Sequence, residues 1–280
     1  MVTTYLNRLE GALAEAGFGG TLWMMTMNGG VGSVAETSKA PVFQLVSGPV
    51  GGVAGSVDLA RAAGDRNLLT MDMGGTSTDV AAIRDATTPM TDTWAVEFGL
   101  TMTMPVVDVG SVGSGAGSIV HIDSVGTLRV GPESAGSVPG PACYGRGGER
   151  PTLTDACVVL GILQPDLFAG GALTLDVEKA RAALKTVADP LGMSVEELAD
   201  GAYRLACSDV AGSIRSISTY RGLDLREFGL LAFGSAGPMI AHQVARELGV
   251  DKVVVPQAPG SSRPSACSRA ICGCRRRGPR

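Results

Sequence analysis

The feature that most constrains this chain is the stretch Leu68-Leu69-Thr70-Met71-Asp72-Met73-Gly74-Gly75-Thr76-Ser77-Thr78-Asp79-Val80. An apolar, strand-like run breaks at two glycines, offers hydroxyls and an acid, and resumes as Val80-Ala81-Ala82-Ile83. Glycine permits positive φ and lets a bulky ligand approach the backbone. Successive N–H groups in such a turn form an anion-binding concavity, to which hydroxyls add donors. A carboxylate at the strand end, beside bound phosphate, can hold Mg²⁺ through water, because Mg²⁺ sheds its hydration shell reluctantly. Two readings follow: a phosphate-binding hairpin of an ATP-using enzyme, or a tight β-turn rich in Gly and Thr. The rest of the chain decides between them.

A length of 280 residues allows one large domain or two lobes. The 40 glycines are about double the average frequency and sit at turns without a fixed period, while 45% of residues are apolar. Interleaved strand and helix patterns in such a chain predict an α/β fold. The net charge of −4 argues against nucleic acid as a partner. No apolar run is long enough for a transmembrane helix, and the N-terminus lacks the basic and apolar regions of a signal peptide. Cys143, Cys157 and Cys207 are scattered, as expected of plain buried thiols in a reducing cytoplasm. No His, Asp and Glu constellation suits a transition metal, and His121 and His242 read as pocket-edge or packing residues. The stretch 262–280 differs in character: it holds six arginines and three cysteines without helical or strand period. It reads as an aberrant or disordered tail; the C-x-C at Cys272 and Cys274 is weak as a metal motif.

In chain order, Leu6, Leu9 and Leu13 predict a helix ending at Gly17, and Thr21–Met27 a buried strand. Ser33 and Glu36 have the spacing of a capping box. Pro41 to Val46 reads as a strand running into a glycine turn, Ser47 to Gly55, before a helix to about Ala63. That turn is a second candidate anion site, or simply a point of close helix–strand packing. The opening strand, Val80–Arg84 and Thr87–Phe98 read as a three-stranded meander with a turn at Asp85-Ala86. A Gly-rich stretch, Val109–Val120, a hairpin strand at Gly126–Val130 and a long loop from Gly131 to Pro151 follow. Helices then start near Thr154, after Asp176 and after the Ser194/Glu197 capping box. A strand at Phe228–Phe233, a turn at Gly234-Ser235-Ala236-Gly237-Pro238, a helix and a last strand at Lys252–Pro256 complete the pattern.

Three motifs give this order a resemblance. Met71 to Val80, Pro139-Gly140-Pro141-Ala142-Cys143-Tyr144-Gly145-Arg146-Gly147-Gly148 and Ala232 to Pro238 are similar to those of the hydantoinase A / 5-oxoprolinase family. Asn28-Gly29-Gly30 and Ser47-Gly48-Pro49 resemble it too, and the likeness extends over residues 1 to about 261.

The resemblance implies an actin-like ATPase fold of the RNase H, sugar-kinase and Hsp70 type. This chain would supply mainly the second lobe, with an inserted Gly-rich loop region. The divisions expected are 1–66 as the end of a first lobe, 67–261 as the nucleotide-binding lobe, and the 262–280 tail. The implied activity is ATP-dependent hydrolysis of a cyclic amide, in which ATP phosphorylates a carbonyl oxygen before ring opening. Two alternatives are the nucleotide-binding subunit of an acetone- or acetophenone-type carboxylase, and a silent truncated fragment.

By the same resemblance, ATP and Mg²⁺ are the cofactors. Gly74, Gly75, Thr76, Ser77 and Thr78 would hold the β- and γ-phosphates, and Gly234, Ser235, Ala236 and Gly237 the adenosine. Asp72 and Asp79 would be catalytic, with Asp72 carrying Mg²⁺ through water. Gly113, Ser114, Gly115, Tyr144 and Arg146 would face substrate or partner. A hydantoinase B-type subunit, a missing N-terminal lobe and a small-molecule substrate are the implied partners, in a cytoplasmic hetero-oligomer. The family's N-terminal Asp-x-Gly-Gly-Thr hairpin has no copy in this sequence, and Ser235 stands where members commonly have Gly.

Overall fold

A computed structural model describes residues 2–97, 100–257 and 271–275. The chain begins with helix α1 (Val2–Glu15), then a small antiparallel hairpin of β1 (Trp23–Met25) and β2 (Val31–Ser33). Ser33 caps α2 (Val34–Lys39) with the expected capping box: Glu36 N donates to Ser33 Oγ at 3.3 Å, and Ser33 N to Glu36 Oε2 at 2.8 Å. Pro41–Gln44 is a 3₁₀ turn where a strand was expected. Pro41 at its first position fixes a helical φ and has no N–H to give a ladder.

Helix α3 (Ser47–Ala63) is a second departure, because the glycine turn expected at 47–55 is already helical. Glycine inside a helix costs about 1 kcal/mol relative to alanine, and packing offsets that here. A Cβ on Gly52 would lie 2.8 Å from the Phe233 ring. The missing side chain is what lets α3 lie against the sheet.

Among the described residues the main sheet has six strands. β3 (Leu68–Met73) and β4 (Thr78–Ile83) form the antiparallel hairpin around Gly74–Ser77. β5 (Met90–Glu97) does not continue the meander; it pairs with β6 (Leu100–Val107) in a separate two-stranded sheet. The place beside β4 goes to β7 (Gly110–Val112), and β8 (Ser118–Ile122) pairs with β9 (Leu128–Ser134) outside the sheet.

Helices α4 (Leu153–Val159), α5 (Val177–Leu191) and α6 (Val195–Tyr220) follow. Asp176 and the Ser194/Glu197 box cap the last two as expected. β10 (Gly229–Phe233), α7 (Gly237–Leu248) and β11 (Lys252–Pro256) close the lobe, with β10 parallel to both β3 and β11. β12 (Ile271–Arg275) pairs antiparallel with β11, so this part of the expected structureless tail is a strand. Residues 262–270 and 276–280, which share that expectation, lie outside the described residues. The sheet order is β12-β11-β10-β3-β4-β7.

Side chains alternate across this sheet with the period of two that strands impose. Leu69, Met71, Met73, Val80 and Ala82 join α4, α6 and α7 in one core. Leu68, Ala81, Ile83, Leu231 and Phe233 join Val50, Val53 and Val57 of α3 in the other. The odd members of the second face are Thr70 and Asp72, one step and two steps along from Leu68. Thr70 settles its hydroxyl on Ala81, accepting from Ala81 N at 2.9 Å and donating to its carbonyl at 3.3 Å. Asp72 has no such partner in the sheet, and it sits where β3 ends.

Candidate functional site

The hairpin between β3 and β4 is closed by Gly74 N donating to Ser77 O at 2.9 Å. Among the described residues, the N–H groups of Gly75, Thr76 and Ser77 and the hydroxyls of Thr76 and Ser77 make no hydrogen bond within the protein. Two carbonyls of the same turn are occupied from the 115–117 loop: Ala116 N donates to Gly74 O at 3.0 Å and Gly117 N to Gly75 O at 2.7 Å. Three N–H donors are left unpaired while the Gly74 and Gly75 carbonyls are tied to the 115–117 loop, which is the polarity of an anion site.

Asp72 and Asp79 stand directly opposite each other across the two strands, so they share one face of the sheet. Burial raises the Asp72 carboxyl to about 6, and the neighbouring Asp79 adds to the rise. Asp79 is raised too, chiefly by burial, against a hydrogen bond from Ser111 on β7 that favours its anion. Two half-buried carboxylates without a cationic partner are costly. A cation bound between them and an anion would relieve both.

The turn after β10 lies against the same place. Gly234 has φ +79°, and a Cβ on it would lie 2.3 Å from Asp72 Oδ1. Ala236 N donates to Met73 O at 2.9 Å, and a Cβ on Gly237, which opens α7, would lie 3.1 Å from Met71 O. On the other side, a Cβ on Gly52 of α3 would come within 3.4 Å of Asp72 Oδ2. Asp72 is thus walled by two backbones that carry no side chain. Gly74 to Thr78, Asp72, Asp79 and Gly234 to Gly237 come together as one site at the carboxyl ends of β3 and β10.

The loop of Gly113, Ser114 and Gly115 is also at this hairpin, behind it. A Cβ on Gly115 would meet Gly75 and Thr76 backbone atoms at 2.6 Å, and Thr78 Oγ1 donates to Ser114 O at 2.6 Å. Tyr144 and Arg146 belong to a different wall. Tyr144 is half-buried with its ring 5.6 Å from that of Phe168. The neighbouring Ala142, Gly147 and Gly148 line a surface cavity of about 460 Å³ with Lys179 and Ala183 of α5.

The residues that sequence reasoning missed are Ser111 and Asp155, whereas Gly52 bears out the close helix–strand packing read as one alternative at 47–55. Asp155 is fully buried and accepts from Thr152 N at 2.8 Å, Thr152 Oγ1 at 2.7 Å, Cys143 N at 2.8 Å and Ala142 N at 3.3 Å. The Thr152-x-x-Asp155 spacing announces a capping box. Its grip on Ala142 and Cys143 had no sequence signal.

The hydantoinase/oxoprolinase family model matches residues 1–275. The chain belongs to the hydantoinase/oxoprolinase family. It is 35% identical to caprolactamase subunit alpha of Pseudomonas jessenii over 90% of this chain and 36% of that relative. It is 36% identical to 5-oxoprolinase 1 of Arabidopsis thaliana, covering 80% of this chain and 19% of the plant protein. A nucleotide-free acetone carboxylase structure superposes with a TM-score of 0.85 at 34% identity, over 95% of this chain and 37% of that one. These likenesses place the chain in an α/β, ATPase-like fold. As a hydantoinase/oxoprolinase family member it spans 34–42% of the length of the first four curated relatives.

The site's residues fit a magnesium nucleotide. No group of three or more His, Cys, Asp or Glu able to hold a metal exists among the described residues. Mg²⁺ needs no such cage, since it takes one or two carboxylates together with waters and phosphates. Among the described residues, no helix is long and apolar enough to cross a membrane.

Proposed function

We propose that this chain is the nucleotide-binding lobe of an ATP-dependent enzyme that hydrolyses cyclic amides. The observation that carries the reading is the set of unclaimed N–H groups at Gly75, Thr76 and Ser77 beside Asp72 and Asp79. The relatives supply the chemical class: one solved relative is described as an ATP-dependent caprolactamase, and others are 5-oxoprolinases.

Bound ATP would supply a phosphoryl group to the amide oxygen, making the ring carbon open to water. Such transfer asks the protein for positioning and charge neutralisation more than covalent chemistry. The N–H groups and hydroxyls from Gly75 to Thr78 would hold the terminal phosphates. Asp72, ionised at neutral pH with its carboxyl at about 6, would orient water-bound Mg²⁺, and Asp79 would share that task. Gly234 to Gly237 would border the adenosine.

Residues 67–261 form the nucleotide lobe in this reading, and 1–66 the end of a first lobe that brings a second phosphate hairpin. A hydantoinase B-type subunit completes the enzyme in the cytoplasm as a hetero-oligomer. Relatives named as subunits alpha, beta and gamma support this assembly. The smaller share of the oxoprolinases that the chain covers also fits, since those chains are long enough to hold further parts. The second reading is the corresponding subunit of an ATP-dependent ketone carboxylase, favoured by the TM-score of 0.85 to acetone carboxylase.

Calorimetric titration with Mg-ATP tests the proposal, using the chain alone and together with a first-lobe polypeptide from a family member. Saturable binding that Asp72→Asn abolishes is expected. Absence of binding in both samples overturns the nucleotide reading and leaves a silent fragment. Turnover of a lactam or of acetone by the reconstituted assembly separates the two enzyme readings.

A further inference from the structure

Besides its strand pairing with β10 and β7 and the contacts from Ser114, Ser134 and Ala236, the hairpin is tied to the start of α4 through Ala116. Ala116, whose N–H holds Gly74 O, offers its own carbonyl to Thr154, which donates twice: N at 2.9 Å and Oγ1 at 2.8 Å. Thr154 is 2% exposed, at the start of α4. The next residue, Asp155, holds Ala142 N and Cys143 N. Ala142 begins the wall of the 460 Å³ cavity against α5. Two neighbouring residues of one helix turn therefore grip the loop behind the phosphate hairpin and the edge of a cavity.

Glycines make the first grip tight. Gly115 and Gly117 each lack the Cβ that would strike Gly75, at 2.6 Å and 2.9 Å from its carbonyl oxygen. Ser134 Oγ also reaches Gly75 O at 3.4 Å, and Ala135 N reaches Gly117 O at 2.9 Å, so the strand leading to the cavity wall touches the clasp as well. Close-packed backbone transmits displacement instead of absorbing it.

We propose that Thr154 is a positioning residue for the phosphate hairpin, and that Thr154 and Asp155 form one joint setting the hairpin and the 139–149 cavity wall together. The cavity would then register what occupies the hairpin, and a substrate or partner held there would meet a wall that moves with it. This rests on the reading of Gly74–Thr78 as a phosphate hairpin. Its test needs no nucleotide, so failure to bind Mg-ATP and failure of the joint are separate results.

Amide hydrogen exchange on the whole chain provides that test. Thr154→Val keeps the shape and removes the hydroxyl, whereas Thr154→Ser keeps the hydroxyl. Exchange at Ala116, Gly117, Ala142 and Cys143 should quicken by about tenfold in Thr154→Val and return to the native rate in Thr154→Ser, with Leu230 in the central strand unchanged. Gly115→Ala should quicken the same four amides by displacing Gly75. Gly113→Ala should not, because its Cβ meets nothing nearer than Pro132 at 3.5 Å. Quickening at Ala116 and Gly117 with native protection at Ala142 and Cys143 would overturn the joint. Native rates at all four positions in Thr154→Val would overturn the role of Thr154, whether or not Gly115→Ala folds.

Discussion

Asp72 and Asp155 are both carboxylates shielded from solvent, and their surroundings have opposite logic. Asp155 is fully buried and receives hydrogen bonds from three backbone N–H groups and one hydroxyl. Asp72 is half-buried, faces Asp79 across a strand pair, and is walled by glycines that offer space and no donor. Burial with every lone pair satisfied builds architecture. Burial with the charge left over stores a demand that a ligand can meet. The two residues show how one lobe separates its scaffold from its site with the same side chain.

The largest expected effect breaks the satisfied case. Asp155→Ala strands four donors, and hydrogen bonds to a charged acceptor are each worth about 1.5–3 kcal/mol, so the chain should lose about 3–5 kcal/mol in urea unfolding. A loss below about 1 kcal/mol would place Asp155 outside the scaffold.

The glycine walls come next. Gly52→Ala must displace Phe233 or Asp72, at an expected cost of about 1–3 kcal/mol. Gly51→Ala, one residue away with nothing nearer than Met25 at 3.9 Å, should instead stabilise α3 by about 0.5–1 kcal/mol. Equal effects at the two positions, measured as Tm, would remove the argument for a made-to-fit wall.

Asp72→Asn should act against intuition and stabilise the empty lobe. The native carboxyl takes its proton at about pH 6 and the unfolded one near 3.8. Between those values the folded state holds the extra proton, so the residue's contribution is favourable below 3.8 and is lost as pH rises through 6. Full burial would make this worth about 3 kcal/mol at neutral pH; partial solvent contact reduces it to about 1–2 kcal/mol. The gain in denaturant midpoint over the native chain should vanish below about pH 4, while Mg-ATP binding is lost at every pH. Equal stability of the two proteins at pH 7 would refute the stored-charge account.

The smallest effect on folding belongs to Thr76→Ala. Thr76 is exposed and makes no internal hydrogen bond among the described residues, so stability should stay within about 0.5 kcal/mol. Nucleotide affinity should fall by about tenfold to a hundredfold in calorimetry, the value of one hydrogen bond to a charged group.

Much of this was readable from local patterns. The capping boxes at Ser33 and Ser194, the cap at Asp176 and the β3–β4 hairpin are short-range devices, written within four or five residues. The misreadings share a cause. Pro41–Gln44 and Ser47–Gly55 have apolar and glycine content that fits strand and turn, yet packing of α3 on Phe233 and Asp72 makes glycine welcome inside a helix. β5 followed its nearest neighbour β6 out of the sheet, and the third strand's place was filled from β7. At the site, Asp72, Asp79, Gly74–Thr78 and Gly234–Gly237 were legible as motifs, whereas the role of Gly113–Gly115 as the backing of the hairpin required contacts across more than 35 residues.

By itself the sequence determined the hairpin, because two glycines between an apolar strand and a run of hydroxyls admit few other backbones. It likewise determined the family, through motifs whose order is preserved along the chain. The tertiary structure alone decided which donors are free and which carboxylate is satisfied. Those properties depend on what lies behind a turn or above a strand: Ala116 and Gly117 at the back of Gly74 and Gly75, Gly52 and Gly234 around Asp72, Ala142 and Cys143 on Asp155. Each is a contact between segments far apart in sequence, set by close packing, and no local pattern records it.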